Sequence, residues 1–446
     1  STRVVDCATR GAKLVTLTDC QIFKFLYIAT AAPNRSMADD TSGLQPALQQ
    51  VGGSSSSRAT ATASSSSSTS TQVQVCVETE AAIAAALLQR GGSSAKRRRV
   101  EIGNDQGVAG DDDGIDHGTV DGDEEDEEDE ESGNCNDVDN EYFESYDDLS
   151  IHALMLGDAP RVDAYLAAIR AHKTSIEGKV VMDVGAGSGI LSMLCARYGG
   201  AKCVYAIEAA PGMARLARDL VANNGLEGSV QVVEGRVEEI ELPEKVDVII
   251  SEWMGFYLVH ESMLESVLEA RDRFLKPGGV MLPDSGKIWA APVENEELKR
   301  HLSAISSMHG LDLSPIGEAE LQRRCREPQV ENVEADRLLA SPCLVADLGD
   351  LRRRPVGSTK TLSADLNFVT VKGGSAAGLA FWFDVGFGPG VNLCTSPGAP
   401  ATHWKQTVVY FGAFPDITPG EELTARVTLT QSATNPRQYE ISIETE

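Results

Sequence analysis

The sequence predicts an α/β protein in two folded parts, a parallel sheet with crossover helices followed by an antiparallel β-barrel. Two patterns carry that prediction. Between 179 and 283, short β-branched runs alternate with helical stretches, and strands separated by helices pair in parallel. Between 360 and 446, strand-like runs follow one another with Gly and Pro between them, the pattern of antiparallel pairing.

In the first part the strands are VVMDV (180–184), CVYAIE (203–208), VQVVEG (230–235) and VDVIISE (246–252), with helical patterns at 190–198 and 212–223. In the second they are LNFVTV (366–371), LAFWFDVGF (379–387), TVVYF (407–411) and LTARVTL (423–429). The stretch 295–325 reads as helical or irregular, a protruding element between the two. The boundary falls at Leu282-Pro283-Asp284, so the parts span 141–283 and 284–446.

Residues 1–140 have a different character, low in complexity and acidic. The stretch 38–140 holds serine runs at Ser54–Ser57 and Ser64–Ser68, an alanine-rich patch at 81–87 and few aromatics, so it reads as disordered. Its Lys96-Arg97-Arg98-Arg99 cluster reads as a nuclear import signal or as a solvated charge run. The apolar run 21–32 is too short to span a bilayer, which argues against a membrane partner. Residues 1–36 read as an upstream extension before an ordinary start at Met37.

The 446 residues carry a net charge of -28, and Asp111 to Glu131 supplies half of it through 14 acids with no Lys or Arg. An acidic field disfavours phosphate backbones, so direct nucleic-acid binding is excluded, and it favours arginine- or lysine-rich tails. Nine cysteines, an odd number with no Cys-x-x-Cys pair, argue for a reducing compartment and against zinc. No metal site is expected.

The strongest local signal is Asp183-Val-Gly185-Ala-Gly187-Ser-Gly189, a strand running into a glycine-rich turn and then a helix. Glycines there let backbone approach a ligand that a Cβ would exclude, near helix N-terminal amides. The spacing is GxGxG rather than GxGxxG, which disfavours a pyrophosphate. Glu208 ends the next strand, where a carboxylate accepts ribose hydroxyls or is simply solvated. Further on, Ser251-Glu252-Trp-Met-Gly-Phe-Tyr-Leu-Val-His-Glu261 sets two acids nine residues apart around an apolar, hairpin-like loop. Converging carboxylates grip a planar guanidinium through charge-assisted hydrogen bonds; acid–base work or a metal is the rival reading.

With Tyr142-Phe143-Glu144-Ser145-Tyr146 ahead of these motifs and Thr402-His403-Trp404-Lys405 behind them, the sequence resembles the protein arginine methyltransferases from about Tyr142 to its end. The resemblance implies a Rossmann-like S-adenosylmethionine-dependent methyltransferase domain with an N-terminal helical lid. A β-barrel substrate domain follows, with a helical dimerisation arm near 295–325. The cofactor is then S-adenosylmethionine. Arg161, with His152 nearby, would bind its carboxylate. Asp183, Gly185 and Gly187 would shape the pocket for its methionine part, Glu208 would hold the ribose, and Glu238 would face the adenine. Tyr146 belongs to the aromatic box that folds over it.

By the same resemblance, Glu252 and Glu261 clamp the target arginine, and His403 sits at the cleft where it pairs with Asp158. Met155 and Met263 match positions at which asymmetric-dimethylating members carry methionine. Substrates would be arginine-rich proteins such as histone tails and Gly/Arg-rich segments, the assembly a homodimer, and the location the nucleus, with the cytoplasm as a second site. Ser188 stands where threonine is frequent, which keeps the hydroxyl. The chain ends soon after its last strand, which bears on barrel closure. A scaffold that binds arginine-rich proteins without turnover is the alternative, and a broken turn or missing glutamate would mark it. A nucleic-acid methyltransferase would show an Asn-Pro-Pro-Tyr-like motif where SEWMGF stands.

Overall fold

The computed structural model describes residues 142, 143, 146 and 148–445, together with the backbone of a strand β1 (Ala12–Thr16). The apolar run 21–32, the start at Met37, the serine runs, the basic cluster 96–99 and the acidic run 111–131 lie outside the described residues.

The first folded part is built on five parallel strands, β2 (Val180–Val184), β3 (Cys203–Glu208), β4 (Val230–Glu234), β5 (Val246–Ile250) and β6 (Leu275–Leu282). Their order is β4-β3-β2-β5-β6. Every residue of β2 is buried, as expected of a central parallel strand covered by helices on both faces. The chain moves outward from β2 to β4, then returns to β5 on the other side of β2. That reversal opens a crevice at the carboxyl ends of β2 and β5, where ligands of open α/β sheets bind.

Three named helices among the described residues precede the sheet, Leu149–Leu156, Ala159–Ala171 and the short Lys173–Ile176. Asp148 caps Leu149–Leu156, accepting from the Ser150 N–H at 2.8 Å, and Asp158 caps Ala159–Ala171, accepting from the Arg161 N–H at 3.1 Å. Each cap satisfies an amide that the first helical turn leaves without a partner. The helix after the glycine turn, Ile190–Leu194, widens into a π turn at Cys195–Gly199.

The second part begins with β7 (Ser285–Glu294), and the arm follows. Helix Glu296–Ser306 is capped by Asn295, then come the short hairpin β8 (Ser307–Met308) and β9 (Leu311–Asp312) and helix Ser314–Cys325. The base of the arm packs Leu298, Leu302 and Cys325 against Val408 and Tyr410, while Met308, Leu311 and Ile316 remain exposed. The other strands are β10 (Gln329–Glu331), β11 (Cys343–Asp347), β12 (Thr361–Val369), β13 (Gly374–Gly386), β14 (Asn392–Cys394), β15 (Gln406–Tyr410), β16 (Asp416–Ile417), β17 (Glu422–Gln431) and β18 (Tyr439–Thr445).

These strands form two antiparallel sheets, one ordered β10-β15-β13-β7-β11 and the other β1-β18-β17-β12. Strand β12 alternates between exposed and buried positions, the period-two signature of a sheet with one wet face. Phe368, Phe381, Phe383, Val427 and Ile441 from both sheets enter one core shared with the parallel sheet. An isolated antiparallel bridge pairs Ala340, ahead of β11, with Thr370, just after β12. Tyr165 meets Phe387 edge-on at 4.8 Å across the seam between the two parts.

Of residues 1–140, the structure describes the backbone of Ala12–Thr16. Within them β1 pairs antiparallel with β18, Ala12 opposite Glu444 and Thr16 opposite Glu440. Five residues are too short a run to stand out by periodicity, and an open strand edge accepts any such segment through its backbone groups. The five described cysteines at 195, 203, 325, 343 and 394 are all free. No helix among the described residues is long and apolar enough to cross a membrane.

Candidate active site

A cavity opens at the crevice between β2 and β5. The glycine turn forms its floor: Gly185 at φ +69° and Gly187 at φ +53° hold left-handed backbone, a conformation that glycine reaches without steric cost. A Cβ on Gly185 would lie 2.2 Å from the Met263 Cε, and one on Gly187 would lie 3.2 Å from the His152 ring. Glu208 borders the same space, accepting from the Gly187 N–H at 2.6 Å and the Ala210 N–H at 2.8 Å. Glu238 takes the Ser266 hydroxyl at 2.5 Å on the next wall.

Over this floor lie Tyr142, Phe143, Tyr146, His152, Met155 and Leu156. The His152 ring is buried and bonds through Nε2 to the Tyr146 carbonyl at 2.8 Å. Met155 lines the cavity and accepts through its carbonyl from the Arg161 Nη1 at 3.1 Å. Arg161 also donates from Nε at 3.1 Å and Nη2 at 2.8 Å to one oxygen of Glu252. The other oxygen of Glu252 accepts from the Met254 N–H at 3.1 Å. Arg161 and Glu252 are nearly closed to solvent.

Glu261 ends the loop that Glu252 begins. Gly255 and Leu258 form a bridge inside it, as the hairpin-like reading expects. Tyr257, Leu258, Glu261 and Ser262 all take positive φ, which costs roughly 1–3 kcal/mol for each such non-glycine residue. The Glu261 carboxylate accepts from the Tyr146 hydroxyl at 2.6 Å and the Tyr142 hydroxyl at 3.0 Å. Burial raises its pKa, opposed by those two phenols, while the nearby Glu252 raises it further.

Of the residues singled out from sequence, Tyr146, His152, Met155, Arg161, Gly185, Gly187, Glu208, Glu238, Glu252, Glu261 and Met263 line this one cavity. Asp183 does not. It is wholly buried beneath the floor, where one carboxylate oxygen accepts from the Ser192 hydroxyl at 2.7 Å and the other has no partner. Burial pushes its pKa up to about 7, although Ser192 pulls it down. The helix carrying Ser192 packs over this strand position, so Val184 and Gly185 supply the lining instead.

Asp158 and His403 meet as the sequence expects, but beside the cavity rather than in it. One Asp158 oxygen accepts both the His403 N–H at 2.8 Å and Nδ1 at 2.6 Å. Burial works to raise the Asp158 pKa, and the bonds from His403 and Arg161 prevail and hold it below its ordinary value. His403 stacks on Trp404 with ring centroids 4.0 Å apart, and the indole N–H is anchored on the Met254 carbonyl at 2.8 Å. Glu144 and Ser145 of the aromatic box lie outside the described residues.

Ser266 and Arg437 are among the lining residues that escaped the sequence reading. Ser266 stands three residues after Met263 on one helix, a spacing that puts both on the same face. Arg437 comes from the turn between β17 and β18, far along the chain, where no local pattern singles it out.

A glycine turn without a pyrophosphate spacing, a carboxylate at the end of the next strand and a half-buried acidic pair at a switch point are the arrangement of an α/β nucleoside-binding site. Residues 181–279 match the family described as "Methyltransferase domain", and residues 284–446 match "Arginine methyltransferase oligomerization subdomain". The "Probable protein arginine N-methyltransferase 6" of Arabidopsis thaliana is 38% identical over 348 residues, covering 70% of this chain and 79% of that one. "Protein arginine N-methyltransferase 6" of Xenopus tropicalis is 39% identical over 312 residues, covering 68% and 90%. Among solved structures, the Trypanosoma brucei PRMT1 enzyme–prozyme heterotetrameric complex with AdoHcy aligns with a TM-score of 0.62 at 32% identity, covering 68% and 94%. The chain belongs to the protein arginine N-methyltransferases, and it uses S-adenosylmethionine to methylate arginine in proteins. The residues present fit that cofactor: the positive-φ glycines leave room a side chain would fill, and Glu208 presents a carboxylate to the same space.

Proposed function

We propose that the chain makes monomethyl and asymmetric dimethylarginine in arginine-rich segments such as histone tails and Gly/Arg-rich stretches, working in the nucleus as a homodimer. The observation that carries the acceptor assignment is that Glu252 already holds a guanidinium, that of Arg161, at 2.8 Å. Met155 and Met263 both border the cavity, which supports an asymmetric product. The exposed Met308, Leu311 and Ile316 on the arm and the family description "oligomerization subdomain" support self-association. The Lys96–Arg99 cluster supports a nuclear address, and the acidic balance supports basic substrates.

In this reading Gly185 and Gly187 cradle the methionine end, Arg161 reaches its carboxylate, Glu208 takes the ribose hydroxyls, and Glu238 faces the adenine. When bound, the cofactor supplies an electrophilic sulfonium methyl. Glu252 and Glu261 grip the substrate guanidinium, which arrives charged because its pKa exceeds about 12. Paired with carboxylates on two sides, the cation keeps electron density on the nitrogen left free. Most of the rate then comes from holding that nitrogen in line. Glu261, whose pKa is raised by burial, is suited to take the proton afterwards, as is His403 paired with Asp158; Asp158 also holds the Arg161 N–H.

The test is transfer from labelled S-adenosylmethionine to an arginine-rich peptide, with the methylarginines resolved and Glu252→Gln run beside wild type. Asymmetric dimethylarginine from wild type alone supports the reading. Cofactor binding without transfer to any arginine peptide favours the scaffold, and symmetric product rejects the proposed specificity.

A further inference from the structure

The turn joining β17 to β18 is fastened to the acidic loop at three points. The Glu261 N–H donates to the Arg437 carbonyl at 2.7 Å, the Ser262 hydroxyl donates to the Pro436 carbonyl at 2.6 Å, and Arg437 Nη1 donates to the Glu261 carbonyl at 3.2 Å. From that fixed base the Arg437 guanidinium lies 3.7 Å from the centre of the Tyr142 ring and 5.2 Å from that of Phe143. Tyr142 in turn places its hydroxyl on the Glu261 carboxylate at 3.0 Å. A second-domain cation, a cavity-roofing aromatic and an acceptor carboxylate therefore form one closed circuit.

We propose that Arg437 is a positioning residue that latches Tyr142 over the cavity and thereby sets the Glu261 carboxylate. The aromatic ring is negative on its face, so a guanidinium held against it by the rigid β17–β18 turn draws the segment down. The bond from Nη1 to the Glu261 carbonyl keeps that guanidinium from swinging into solvent. The barrel thus does more than support substrate: it closes the roof over a ligand bound by the other part. This inference rests on the reading of the cavity as the cofactor and acceptor site.

The experiment measures binding of S-adenosylhomocysteine by calorimetry to the full chain and to Arg437→Met, Arg437→Lys, Tyr142→Leu and the double variant Arg437→Met/Tyr142→Leu. Arg437→Met is expected to weaken binding about tenfold in the wild-type background and less than about twofold in the Tyr142→Leu background. Arg437→Lys keeps a cation over the ring and is expected to recover part of the loss. Thermal unfolding without ligand monitors the fold; if Arg437→Met unfolds, recovery by Arg437→Lys and its dependence on Tyr142 carry the test. Equal weakening in both backgrounds, or none in either, overturns the latch. Failure of the wild-type chain to bind S-adenosylhomocysteine overturns the cavity reading, and the latch with it.

Discussion

Arg161 donates from both Nε and Nη2 to a single oxygen of Glu252, and its own backbone N–H is held by Asp158. Neutralising the carboxylate leaves a buried cation facing a weaker amide acceptor. Glu252→Gln is expected to lower kcat/KM on the order of 100-fold or more, the scale of losing one preorganised charge contact in a closed site. It should also cost roughly 1.5–3 kcal/mol of stability through Arg161. Peptide kinetics and urea denaturation read the two losses separately; full activity in the variant would remove Glu252 from the clamp.

In the proposed clamp, Glu261 must be ionised to pair with a guanidinium. Burial holds its pKa above the ordinary carboxylate value, and the Tyr146 hydroxyl pulls it back down. The acidic limb of the activity profile should therefore lie above pH 4.5. Tyr146→Phe removes the stabilising phenol and should move that limb to higher pH. A limb that stays put places the titration elsewhere.

Asp183 and His260 give opposing pH dependence to stability. Asp183 titrates at about 7 in the folded chain, above its unfolded value, so its contribution is present below about pH 4 and is lost as pH rises through 7. His260, buried and bonded to Tyr257 at 2.9 Å, has its pKa lowered by burial to about 4. Its contribution is present above its unfolded pKa near 6.5 and is lost as pH falls towards 4. From about pH 4 to 6.5 the two nearly cancel. Asp183→Asn should expose the His260 slope, with stability relative to wild type rising by about 2 kcal/mol between pH 5.5 and 7.5. Denaturation curves across that range measure it, and parallel curves for the two proteins refute it.

Gly185→Ala carries two separable penalties. The Met263 Cε that would sit 2.2 Å from the new Cβ is the end of a flexible side chain and can move. The positive φ cannot be relieved, and it costs roughly 1–3 kcal/mol. S-adenosylhomocysteine binding should weaken about tenfold or more, and adding Met263→Ala should restore only part of it. Complete recovery would mean that backbone strain has no share.

Much of this was legible because parallel strands announce themselves. VVMDV and CVYAIE match β2 and β3 residue for residue, since burial on both faces leaves an unbroken apolar run. Strand β6 was not legible: LKPGGVML carries Pro277, Gly278 and Gly279, which locally signal a turn, and only pairing with β5 makes it a strand. The site follows the same division. Glu252 and Glu261 share one loop and could be read together, and His403 with Asp158 came from the family pattern. The neighbourhood of Arg437 and Tyr142, by contrast, exists only once the chain has closed on itself. Asp183 sits in the glycine motif yet turns away from the cavity, because motif membership does not fix the direction a side chain faces.

The left-handed residues around Glu261 have a further consequence. A segment cut out as a free peptide would abandon Tyr257, Leu258, Glu261 and Ser262 to ordinary backbone angles, and the carboxylate would lose its bearing. Only the finished molecule, with the β17–β18 turn seated against it, keeps the loop bent. The ordering that a guanidinium would otherwise have to impose on each visit is settled during folding, once per molecule rather than once per turnover.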